Sequence, residues 1–315
     1  VRRWGIAIEV EKNPESEQDP ASIVSFGTLL PRVLSTMRLS WHALWTVCCG
    51  LTVCVMSTRS EGTAPDFSAW SEVVSTHIKP GESAGVPLNV VNYTGIAADP
   101  NFQATLDLVA KASVGNLTRN ETYATFINIY NLFAISMVIH HPCSKSIFGG
   151  SCSPIKSIKD IGSLLSPVWK KTAGSVGGKS YSLDDVEDFL RNPAPFKEDP
   201  RLHACIVCAS ISCPDVRTEA FQVDKLDQQM TDQMTKFLSN PKKGMSLNMS
   251  TKTVTLSPIF QWFAADFVSA AGSVKNFILP FIADADVASF VRGNDVTLAY
   301  FDYDWNLNGA APCQC

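Results

Sequence analysis

The run Ala124-Thr-Phe-Ile-Asn-Ile-Tyr-Asn-Leu-Phe-Ala-Ile-Ser-Met-Val-Ile139 decides how the rest of this chain must fold. It reads as a helix that is apolar nearly all round. A helix without a polar face has to be covered on several sides, so it is expected at the centre of the fold. Asn120 is placed to cap its start, and His140, His141 and Pro142 end it.

Working outward, Phe67, Trp70, Val73, Val74 and Ile78 recur at helical spacing, as do Phe102, Leu106, Val109 and Ala110 after Asp99-Pro100. Pro80 to Pro87 reads as a loop. Ser182 caps a short acidic helix that ends near Arg191, with Asp184 and Asp185 at its positive end. Leu202 to Ala209, bounded by Pro200 and a Ser/Cys/Pro turn, reads as a buried strand. Asp224–Leu238, Pro258–Ala271 and Val274–Phe281 read as helices. Two short strands lie within Ser246–Leu256, and a last strand spans Val296–Tyr300. The expected architecture is α+β: one helix-rich domain with a small sheet and a buried central helix.

Of the 315 residues, 45% are hydrophobic and 18% charged, which excludes global disorder. The net charge of −4 gives no basic surface for nucleic acid. Met37-Arg38, the apolar run Ala43–Met56 and the small residues after it have the order of a secretory signal. Fourteen apolar residues are too few for a stable membrane span, which needs about 20. Residues 1–36 are therefore expected to lie upstream of the true start, 37–57 to be the signal, and 58–315 to be one domain with a short cysteine-containing tail. The protein is expected to be secreted, or lumenal if retained, with an extracellular ligand or protein as its partner. Asn92, Asn116, Asn120 and Asn248 stand in glycosylation sequons. Cys143 and Cys152 flank a short loop and are expected to form a disulfide. His140, His141, Cys143 and Cys152 fit no standard zinc spacing, and no metal or cofactor is expected.

Two places set polar groups into apolar pattern. Asn128 and Asn131 share one helix face; they are either structural ties or the lining of a site. The second is His203-Ala-Cys-Ile-Val-Cys-Ala-Ser-Ile-Ser-Cys213. A cysteine nucleophile needs a base or a positive environment, and His203 is placed to serve Cys205 or Cys213. Asp304 could orient His203, or pair with Arg191 or Arg201.

Five blocks recur in a known order: INIYN (127–131), SLDDVEDFLR (182–191), DPRLHACIVCASISCP (199–214), LSPIFQWFAADF (256–267) and YDWNLN (303–308). Together they resemble the domain of unknown function numbered 547, from about Phe67 to Asn308. That family has no settled activity, so the resemblance implies a domain without implying a reaction. It directs attention to Asn128, Tyr130, Asn131, Glu187, Arg191, Arg201, His203, Cys208, Ser212, Cys213, Pro214, Asp304, Trp305 and Asn308. Many relatives carry His where this chain has Asp188. Relatives without a secretion signal keep the SxSCP cysteine, which weakens a purely disulfide role for Cys213.

Two function classes stay open. One is a non-catalytic extracellular binding or structural module, with Asn131, Glu187, Arg191, Arg201 and Trp305 as binding residues. The other is a thiol hydrolase or acyl transferase of papain- or transglutaminase-like character. There Cys213 or Cys205 would be the nucleophile, His203 the base, Asp304 the orienter, and Asn128 or Asn131 the oxyanion donor. The central helix carries Asn where such an enzyme would place its nucleophile, which counts against the second class. The two classes part on whether His203, Cys213, Asn128 and Asp304 line one cleft.

Overall fold

In the computed structural model the central helix, α4 (Arg119–His140), is buried without interruption from Thr122 to Val138. The structure describes residues 62–144, 152–163 and 165–313. The signal and the upstream extension lie outside these residues. Although α4 is long and apolar enough to cross a membrane, it is packed inside the protein as a core helix. Its cap is Thr118 rather than Asn120. The Thr118 hydroxyl accepts from the Glu121 N–H, and Glu121 accepts from the Thr118 N–H at 2.8 Å. This reciprocal box satisfies two end donors at once, which Asn120, one residue into the helix, cannot do.

The elements around it are α1 (Ser68–His77), β1 (Ile78–Ser83), β2 (Val86–Val91), α2 (Tyr93–Ala98) and α3 (Pro100–Lys111), then β3 (Cys143–Ser144), β4 (Ser153–Pro154), β5 (Thr172–Val176), β6 (Lys179–Ser182) and α5 (Leu183–Arg191). After these come α6 (Leu226–Ser239), β7 (Met245–Asn248), β8 (Thr253–Leu256), α7 (Ile259–Trp262), α8 (Ala264–Ala271), α9 (Val274–Ile278), α10 (Ala285–Arg292) and β9 (Thr297–Tyr300). The fold is α+β. The strands form three separate hairpins and one three-stranded sheet, in which β8 pairs antiparallel with β7 and parallel with β9.

Pro80–Pro87 is not a loop: it is most of the hairpin β1–β2, turned at Ala84 and Gly85, both at positive φ. Such a two-residue turn suits the strand twist. The exposed face of β1 hides the alternation that would have revealed it. A second hairpin, β5–β6, lies against α4 at Gly174, where an added Cβ would come within 2.2 Å of the Phe133 ring.

Leu202–Ala209 is not a strand either. Asp199 caps a 3-10 turn over Pro200–Ala204, and the chain then runs as irregular buried backbone to Ala209, at φ +60°. Asn131 supplies the pairing a neighbouring strand would give: its amide donates to the Cys205 carbonyl and accepts from the Val207 N–H, both at 2.9 Å. A short apolar run with its backbone polar groups satisfied needs no sheet.

The disulfide joins Cys143 to Cys313, not to Cys152. The tail is brought back to the end of α4 by backbone pairing of Leu307 to Lys156 and of Asn308 to Ala209 and Val91, which sets Cys313 beside Cys143 with a Cα separation of 5.7 Å. Nearness in sequence did not decide the pairing.

Candidate functional site

Two polar clusters meet at the turn between α7 and α8. In the first, α5 ends on Arg191, and α8 places Asp266 in its first turn. Arg191 holds both Asp266 oxygens, Nε to Oδ2 at 2.8 Å and Nη2 to Oδ1 at 2.9 Å. From the 3-10 turn, His203 Nε2 reaches the same Oδ2 at 2.9 Å. The His203 ring stacks on Phe263 at 4.1 Å and meets Phe267 edge-on, and Arg191 also lies over Phe263. Burial lowers the His203 pKa more than Asp266 raises it, so the ring is neutral at pH 7. Burial works to raise Asp266, but the hydrogen bonds of His203 and Arg191 outweigh it and hold the carboxyl far below its ordinary range.

Glu198 completes this cluster. Its Oε1 is buried without a hydrogen-bond partner, and it shares a side-chain hydrogen bond with Asp266. Burial, and then the Asp266 charge, push it up to about 7. Glu198, His203 and Asp266 bring ligand atoms within 4.8 Å of one another. They do not suit a metal ion, because the Arg191 cation already holds both oxygens of Asp266.

The second cluster surrounds Cys213, which has no exposed surface. Its Sγ accepts from the Cys208 N–H at 3.1 Å and lies 3.0 Å from the Tyr303 hydroxyl, which is also bonded to Ser210. Burial works to raise this thiol, but the hydrogen bonds of Cys208, Ser210 and Tyr303 outweigh it and bring it down to about 6. Burial pushes the Cys205 and Cys208 thiols well above their ordinary value. On the outer side of Tyr303, the rings of Trp262, Tyr303 and Trp305 pack on one another as a half-buried ledge. Trp169 backs the ledge and Lys159 lies over Trp305 at 4.7 Å. The buried Glu187 is felt electrostatically by Arg191 in the first cluster and by Tyr130 and Cys208 in the second.

The four residues expected to share a cleft are committed separately. Asn128 pairs with both the carbonyl and the N–H of Phe221 at 2.9 Å. Asp304 accepts from the N–H and the amide of its own neighbour Asn306, and its backbone pairs with Ser212. His203 is oriented by Asp266, not by Asp304. No hydrogen bond joins His203 to Cys205, Cys208 or Cys213 among the described residues. Arg201 bonds Asp199, Asp227 and Thr231 in an ion-pair network that includes Arg119. The four sequon asparagines are all exposed. Asp266, Glu198 and Tyr303 were not singled out from sequence, although Asp266 and Tyr303 stand inside the quoted blocks. Phe263 and Asp266, three apart at the start of α8, carried the signal of a shared helix side.

A family model described as "Protein of unknown function, DUF547" matches residues 114–238. Over these residues the chain is similar to that family. The match takes in α4, α5, the His203 turn and Cys213, while the blocks at 256–267 and 303–308 lie beyond it. Both clusters therefore combine residues of the matched segment with residues outside it: Asp266 in one, Tyr303 in the other. No curated protein and no solved structure matches the chain.

Proposed function

We propose that this is an exported protein whose DUF547-like domain, together with the C-terminal segment packed on it, is a non-catalytic extracellular binding module. The observation that carries this reading is the commitment of every candidate catalytic group to another part of the fold. The asparagines tie down backbone, Asp304 closes its own turn, His203 is held by Asp266, and Cys213 is sealed from solvent. The Cys143–Cys313 disulfide and the exposed sequons support export. The ledge of Trp262, Tyr303 and Trp305 is the surface best suited to a ligand, because large rigid rings give contact area at little entropic cost. A partner is expected to lay a flat apolar face on it. Tryptophan fluorescence reports binding there directly, with soluble oligosaccharides and extracellular-matrix peptides as first probes. Trp305→Ala is expected to remove binding, while a folded Cys213→Ser protein retains it.

The depressed Cys213 thiol favours a second reading, a thiol-dependent hydrolase or acyl transferase with Cys213 as nucleophile. Its burial and the absence of a hydrogen bond to His203 weigh against it. Substrate turnover that Cys213→Ser abolishes in a folded protein would establish this second reading and sink the first.

A further inference from the structure

The three-stranded sheet ends on β7, and its hydrogen bonds fix which way the edge backbone faces. Met245 stands opposite Leu256 and Leu247 opposite Val254. The Ser257 N–H bonds the Gly244 carbonyl, while the Leu256 carbonyl faces the other way and accepts from Phe301. Bonded and non-bonded pairs alternate along an antiparallel ladder. Ser246 and Asn248 therefore turn their backbone groups to β8, and Met245 and Leu247 turn theirs outward. The Met245 N–H is spent on the Asn240 carbonyl at 3.2 Å. The Met245 carbonyl and both polar backbone groups of Leu247 have no hydrogen-bond partner among the described residues.

Beside this open edge lies an apolar groove of about 520 Å³. Met245 and Leu247, two apart on one strand face, form one wall, and Leu238, Phe281, Ile282 and Val287 form the rest. Leu238 is buried and the other five are half-buried. Asp284, which caps α10, is the one charged residue among those lining the groove, and it is exposed, with the exposed Asp286 two residues on. Asn248, the sequon residue of β7, presents its side chain to the opposite sheet face, so a glycan there leaves the groove open.

We infer that the edge of β7 is a docking site for an extended peptide segment of another protein, which adds to the sheet as a further strand. Two of its apolar side chains, two residues apart, enter the groove, and a lysine or arginine lies beside Asp284. The outward backbone groups select this occupant. A strand offers N–H and C=O groups at matching spacing, whereas a helix has already spent its own. The acidic rim selects the charge. The groove shares no residue with the Trp262–Tyr303–Trp305 ledge, so this site stands or falls apart from ligand binding there.

The test uses the full-length native protein and three synthetic heptapeptides of the form Lys-Φ-Ser-Φ-Ser-Φ-Lys, with Φ as Val, Ile or Phe. Fluorescence anisotropy reads affinity, and NMR amide exchange reads the edge. At least one peptide is expected to bind and to slow exchange of the Leu247 amide, leaving that of Ser246 unchanged. Leu247→Pro removes the outward donor without touching a bond between β7 and β8, and should weaken binding about tenfold. Asp284→Asn retains the helix cap and should weaken it about 2–5-fold, with no loss for a glutamate-flanked peptide. If Leu247→Pro does not fold, Asp284→Asn and the exchange readout decide. The inference is overturned if none of the peptides binds at millimolar concentration, or if binding leaves Leu247 exchange unchanged. Slow exchange of Leu247 in the peptide-free protein overturns it too, and identifies a second copy as the occupant where it strengthens with protein concentration.

Discussion

Replacing Glu198 with glutamine should stabilise the protein at pH 8 and change its stability little near pH 4. Glu198 rises from 4.5 to about 7 because burial and the Asp266 charge disfavour its ionised form. The folded state thus keeps a proton that the unfolded chain has already released. The associated stability is fully present below pH 4.5 and is lost as pH rises through 7. At full burial a rise from 4.5 to about 7 corresponds to roughly 3 kcal/mol at 1.36 kcal/mol per pKa unit. Glu198 is half-buried, and solvent screening reduces this to about 1–2 kcal/mol. Glutamine mimics the protonated acid, can still donate to Asp266, and never ionises. His203 acts in the opposite direction. Its folded pKa is lowered, so its stability contribution is present above 6.5 and lost as pH falls below it. In wild type the two slopes oppose each other just below pH 6.5. In Glu198→Gln the His203 slope stands alone, and stability should rise with pH across that window. Urea unfolding at pH 4, 5, 6, 7 and 8 measures both proteins. A variant less stable than wild type at pH 8, or a difference that does not vary with pH, refutes the proton-sharing cluster.

Asn131→Ala leaves the Cys205 carbonyl and the Val207 N–H buried without partners, and should cost about 2–4 kcal/mol in urea unfolding. Asp266→Asn removes the carboxylate that both holds Arg191 bidentately and orients His203, and should cost about 3–5 kcal/mol, against which Arg191→Met in the same background should recover part. Cys313→Ser opens a 170-residue ring, and the chain-entropy relation sets an upper bound of about 5 kcal/mol on its cost, read as a lowered urea midpoint under non-reducing conditions. Gly174→Val should lower the melting temperature, because its side chain must displace the Phe133 ring of α4.

The buried helix was legible because its signal is one-dimensional: an unbroken apolar run longer than a strand can be. The cap at Ser182 and the helix at 226–239 were legible for the same local reason, whereas the stretch read as one helix over 258–271 breaks at Phe263 into α7 and α8. What failed to show was non-local. The 202–209 segment has the composition of a strand, but its backbone bonds are met by Asn131, 74 positions away from Cys205 in sequence. Asp304 was the natural acid to offer His203, yet Asp266 holds it, since helix α8 rather than the terminal block packs on the histidine turn. Cys152 was chosen for Cys143 by separation, whereas the fold returned Cys313 from the far end of the chain. Glu198 has no pattern around it at all; only burial beside Asp266 distinguishes it from an ordinary surface acid.

Alkylation of the native protein by iodoacetamide, read at Cys213 by peptide mass spectrometry across pH 5–8, separates a structural thiol from a reactive one. If Cys213 is a sealed part of a binding module, it stays unmodified in the folded protein at every pH and reacts only once urea unfolds the chain. Stoichiometric alkylation of Cys213 in the folded state, rising with pH through about 6, would contradict that account and establish an accessible thiolate.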